Sequence, residues 1–177
     1  MNKKRILLGT ITILLLSTLY HGIYDHYPSF LTSLLFPTTE SIWEHNKMIL
    51  LAFITWNIID KILNKIDDNV IFKDFVSSIL CIILVIAIFT PVYFFILNKN
   101  DNLAVTLIIY TLSIFVSLLV TSIIKIKKSH TLETLSIAGF ILLIITFSIM
   151  TYYHPDSSIF KEFDLPTHHI YIQNATF

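Results

Sequence analysis

Charge is scarce in this chain, and so is cysteine. Charged residues make up 14% of the 177 positions, against about a quarter in a soluble domain. Twelve Lys and Arg balance twelve Asp and Glu, so the formal net charge is zero. That balance excludes the basic footprint of a nucleic-acid partner. The one cysteine, Cys81, lies inside an apolar run; it excludes an intramolecular disulfide and reads as a small buried hydrophobe. Neither His-Glu-x-x-His nor Cys-x-x-Cys occurs, so any metal site has to be a constellation rather than a motif. Glycine is limited to three residues, and with the richness in Ile, Lys and Asn this is the composition expected of an AT-rich bacterial genome. No internal repeat or low-complexity segment is present.

What fills the chain instead is apolar sequence. Hydrophobic residues make up 55% and the mean hydropathy is +0.75. Because they are gathered into long runs, the expected fold is all-α: one transmembrane domain over residues 1–177, a polytopic bundle of five helices in a lipid bilayer. The expected helices cover about 5–24, 39–63, 74–97, 103–124 and 132–153, and a polar-aromatic tail covers 154–177. The basic start Met1 to Arg5 and the run Ile6 to Tyr20 resemble a signal peptide. No small-x-small cleavage site follows, so the segment reads as an uncleaved first helix. Pro28 and Pro37 punctuate a loop whose Phe30, Leu31, Leu34, Leu35 and Phe36 suit a short interfacial turn. Pro91 should kink the third helix, and His154-Pro155 should end the fifth.

The basic residues set an orientation. With the N-terminus in the cytoplasm, Lys3, Lys4, Arg5, Lys61, Lys65, Lys73, Lys125, Lys127 and Lys128 fall inside, and only Lys47, Lys99 and Lys161 outside. This is the positive-inside pattern of a multi-pass bacterial cytoplasmic membrane protein, and it puts the C-terminal tail outside. It also brings His21, Asp25, His26, Glu40, Glu44, His45, His154, Asp156, Asp164, His168 and His169 to the outer face, leaving only His130 inside.

The densest polar stretch is Thr38 to Lys47, which opens the second helix. Polar side chains at the mouth of a membrane helix are costly and are by default a functional hypothesis. A plainer account is available: Thr38 or Thr39 as N-cap, Ser41-x-x-Glu44 as a capping box, acids complementing the helix dipole, and Trp43 in an interfacial belt. That account covers Glu40 and Trp43 better than Glu44 and His45 together. The expected metal ligands are His21, His45, His154 and Asp25, a His-carboxylate set suited to zinc. Glu44 or Glu40 is the expected catalytic base.

The residues His21, Tyr24-Asp25 and Pro37-Thr38-Thr39-Glu40-Ser41-Ile42-Trp43-Glu44-His45 resemble the signature of small bacterial membrane proteins grouped as DUF6512. There a His near the end of helix 1 is followed by Tyr-Asp or Tyr-Glu, and then by Pro-x-Asn-Glu-Ser-[Val/Ile]-Trp-Glu-His. Thr39 stands where that pattern has Asn. Phe163-Asp164-Leu165-Pro166 is a looser echo of the family's ending. The resemblance implies a family signature in the central stretch but no established activity.

Two functional classes follow. One is a membrane hydrolase in which a divalent ion activates water against a membrane-associated substrate. The other is a non-enzymatic membrane protein, such as a transporter subunit, an accessory protein or a pH sensor, whose central stretch only caps helix 2. Close approach of His21 or His154 to Glu44 or His45 would favour the first.

Overall fold

The computed structural model describes residues 3–64, 70–97, 102–127 and 129–161. The fold is all-α. Five long helices, α1 (Lys3–His21), α4 (Ile42–Asn64), α5 (Val70–Pro91), α6 (Leu103–Ile123) and α7 (His130–Tyr152), form the body, and two short ones, α2 (Ile23–His26) and α3 (Phe30–Leu35), join α1 to α4.

Four stretches are long and apolar enough to cross a membrane: Lys3–His26, Val70–Ile96, Leu103–Ile123 and His130–Tyr152. The second expected span, α4, is not among them. Its sequence carries Glu44, Lys47, Asp60 and Lys61, and its position explains why these are tolerated. It packs against α1, α5 and α7, and Ile42, Asn46, Ile49, Leu50, Phe53 and Trp56 are all essentially inaccessible. A helix wrapped by other helices does not need an apolar surface all round, because its neighbours can supply polar partners. The apolar faces are instead presented by the surrounding helices, as by Leu7, Leu8, Ile11, Leu15 and Leu19 on α1.

The main core joins α1, α4, α5 and α6 through Ile13, Ile49, Phe53, Trp56, Val85, Phe89, Ile114 and Leu118. The approach of α1 to α4 is close at Gly9, where an added Cβ would lie 3.1 Å from the Trp56 ring. A second cluster, Leu50, Ile71, Ile82, Phe140 and Phe147, attaches α7. At Pro91 the regular α5 ends, and Val92–Ile96 winds as a π turn. Proline has no N–H to give and its ring crowds the carbonyl four residues back, which weakens the helix at this point.

Side-chain contacts define two ends. At one, Arg5 meets Asp60 and Asp74, and Ser77 meets Thr121. At the other, His21 meets His45, and Thr151 meets Glu44. These are called the arginine end and the histidine end below.

Candidate functional site

The site at the histidine end is assembled from His21, the last residue of α1, His45 in the first turn of α4, and Glu40, two residues before that helix. Ser41 starts α4: its hydroxyl accepts the backbone N–H of Glu44 at 3.2 Å, the geometry of an N-cap. The helix therefore begins at Ile42, a few residues later than a Thr38 or Thr39 cap would start it. Glu44 does not close the expected capping box. Its carboxylate accepts from the backbone N–H of Thr38 at 3.1 Å and from the Thr151 hydroxyl at 2.8 Å, and it pairs with Lys47 at 2.7 Å. Lys47 in turn donates to the Ser33 and Phe36 carbonyls and to Thr151. Both charges are nearly inaccessible, at 5% and 4%. Glu44 and Lys47 are thus a buried pair that ties α7 and, through Lys47, α3 to α4.

Starting α4 at Ile42 points His45 the other way. Its Nδ1 lies 2.8 Å from the Ser41 carbonyl oxygen. A carbonyl can only accept, so Nδ1 carries the proton and a neutral His45 presents its Nε2 lone pair. That Nε2 lies 3.2 Å from Nε2 of His21 and 3.3 Å from Oε2 of Glu40. His21 Nε2 and the same Glu40 oxygen are 3.4 Å apart. The triangle is closed on one side by His45, 8% exposed, and open on the other through His21 and Glu40, 37% and 36% exposed. Tyr110 on α6 meets the His45 ring edge-on at a centroid distance of 6.4 Å.

Of the residues singled out in the sequence, His21, His45 and Glu40 come together. Asp25 is exposed on α2. His154 is exposed beyond α7, where its ring stacks on Phe160 at 5.3 Å. Neither belongs to the cluster, and Glu40 stands as its carboxylate. His168, His169 and Asp164 lie outside the described residues. Trp43 stacks on Phe147 at 4.4 Å and contacts Phe160 at 4.9 Å, so its ring is packed between protein groups.

Sequence reading missed a second polar centre at the arginine end. Arg5 Nε donates to Asp60 at 2.6 Å, Arg5 Nη2 contacts both oxygens of Asp74 at 3.2 Å, and the Asn57 amide donates to Asp74 at 2.9 Å. In the sequence Arg5 counts only toward the basic bias of one side. Arg5 and Asp60 are 55 residues apart, and Arg5 and Asp74 are 69 apart, so no periodicity connects them. The signal available was that Asp60, Asn57 and Trp56 recur at helical spacing on α4.

Fold and sites define a class: an all-helical protein of membrane-compatible helices around one polar helix, with a His/Glu cluster at one end. The chain belongs to a family of unknown function, DUF6512, whose pattern it matches over residues 1–165. No curated protein and no solved structure matches it.

Proposed function

We propose that the His21–Glu40–His45 triangle binds a divalent metal ion of the zinc type, and that the protein is a multi-pass bacterial membrane hydrolase using that ion. The observation that carries the reading is the triangle itself. Ligands about 2.0–2.1 Å from a tetrahedral zinc lie about 3.3 Å from one another, and the three donor atoms are 3.2, 3.3 and 3.4 Å apart. Two further features support it. The bond from His45 Nδ1 to a backbone carbonyl is the kind of outer contact that orients a metal-binding imidazole. The open side leaves a fourth position, as catalytic sites with two His and one Glu do.

His21, Glu40 and His45 would hold such an ion, which would supply Lewis-acid chemistry for hydrolysis. With Glu44 engaged by Lys47, Thr38 and Thr151, Glu44 does not act as base. The exposed side, at His21 and Glu40, would admit water and let its proton leave. With the histidine end outward, the substrate class is a membrane-associated ester, amide or phosphoester met at the outer surface.

The test is elemental analysis of the full chain purified in detergent without added chelator. One zinc per chain is expected, with loss in His45→Ala and His21→Ala and retention in Glu44→Gln. A metal-free protein that binds no zinc on titration, with a proton filling the triangle instead, returns the family to the pH-sensing reading.

A further inference from the structure

We propose that the centre at the arginine end is a proton-binding site, in which Asp74 holds one exchangeable proton while Asp60 takes the Arg5 guanidinium. The inference concerns the opposite end of the bundle and does not depend on metal binding at the histidine end. Asp60 and Asp74 are both fully buried, and both contact the same guanidinium. Two carboxylates that close in a poorly solvated place disfavour double ionisation.

The distances say which acid keeps its charge. Ion-assisted N–H to carboxylate bonds run about 2.7–2.9 Å. Arg5 Nε to Asp60 is 2.6 Å, whereas Asp74 receives one Nη2 shared over both oxygens at 3.2 Å. A second donor to Asp74 is neutral, the Asn57 amide at 2.9 Å. An acid served by a shared, long contact and a neutral amide is the one suited to carry a proton. A proton also removes the cost of a second buried anion beside a guanidinium already committed to the first.

Among the described residues, the other charged groups at this end of the packed elements are exposed or half-buried. On α1 the neighbours in sequence are Lys3 and Lys4, both exposed; on α4, Lys61 is exposed; on α5, Lys73 is half-buried. From α6 comes Thr121, whose hydroxyl meets Ser77 one turn along from Asp74, and just beyond its end lie the exposed Lys125 and Lys127. α7 begins with exposed His130 and half-buried Glu133. The site joins α1, α4 and α5, so proton loss acts on the junction of three helices.

The experiment is thermal unfolding of the full-length protein in detergent over a series of pH values, for the wild type, Asp74→Asn and Asp60→Asn. A folded state that holds a proton the unfolded chain releases loses stability as pH rises through that window and levels off above it. The wild type should lose about 3–5 °C for each pH unit that separates proton release in the unfolded and folded chains. Asp74→Asn, which mimics the neutral acid, should match the wild type at the acidic end and lack that fall. Asp60→Asn should unfold at lower temperature throughout. Titration of the histidine cluster is common to all three proteins and cancels in the comparison. An Asp74→Asn profile parallel to the wild type, or wild-type stability that follows sodium concentration rather than pH, overturns the proposal. If Asp74→Asn does not fold, infrared spectra of the wild type decide: a protonated-acid carbonyl band at neutral pH that disappears on alkalinisation supports it, and absence of the band overturns it.

Discussion

Glu44 and Glu40 are four residues apart on the sequence and have opposite fates. Both were candidates for chemistry on the same grounds, namely acids near a histidine at the mouth of an apolar helix. The Ser41 cap decides between them. It places Glu40 outside the helix beside His21 and turns Glu44 toward Lys47 and Thr151. Periodicity tells which residues share a face, but not which neighbour that face meets, and so the sequence could not separate the two. The stability consequence is specific. Removing one partner of a buried ion pair leaves a charge uncompensated and costs about 3–5 kcal/mol. Glu44→Gln and Lys47→Met should each destabilise the protein by about that much, and the double variant should recover most of the loss. Equilibrium unfolding in detergent checks this. An additive double variant would show that the two charges are independently satisfied.

At the scale of elements, α4 repays the closest comparison with expectation. Its existence and approximate extent were legible from the apolar run after Lys47. Its central place was not, because a helix with Glu44, Lys47, Asp60 and Lys61 reads as a polar-ended span rather than as the axis of a bundle. The structure shows why both descriptions meet in one helix: the charges at either end are matched by other elements, Glu44 and Lys47 by α3 and α7, Asp60 by α1. Trp43 shows the same displacement from surface to interior. Expected in an interfacial belt, it is stacked on Phe147 and against Phe160. Trp43→Ala should therefore cost about 3–5 kcal/mol, as for a packed aromatic. Ile54→Val should cost only about 0.5–1.5 kcal/mol, as a methylene trim. Comparable losses for the two would mean that the Trp43 stack contributes little. Ser41→Ala, which removes the N-cap, should cost about 0.5–2 kcal/mol. It should also lower zinc retention, since the cap sets the direction of His45.

For the whole molecule, the basic residues sort by end. Among the described residues, Lys3, Lys4, Arg5, Lys61, Lys73, Lys125 and Lys127 lie on helices or connectors at the arginine end, and Lys47 and Lys161 at the histidine end. Charge bias of that kind sets orientation through the short loops next to the spans. It predicts the arginine end in the cytoplasm and the His21–Glu40–His45 cluster facing out. The native chain is convenient for the test, because Cys81 is fully buried and should not react with an aqueous maleimide. A cysteine introduced at Ser157, beyond α7 near His154, should be labelled in intact cells by a membrane-impermeant reagent. One introduced at Ser129, which caps the start of α7, should be labelled only after permeabilisation. These two sites flank the same helix, so opposite accessibility also establishes that α7 crosses the bilayer. Labelling of both from outside would deny that crossing, and the reverse pattern would turn the cluster to the cytoplasm. In that case the proposed metal site would still rest on its own distances, but a substrate at the outer surface would no longer be the one proposed for it.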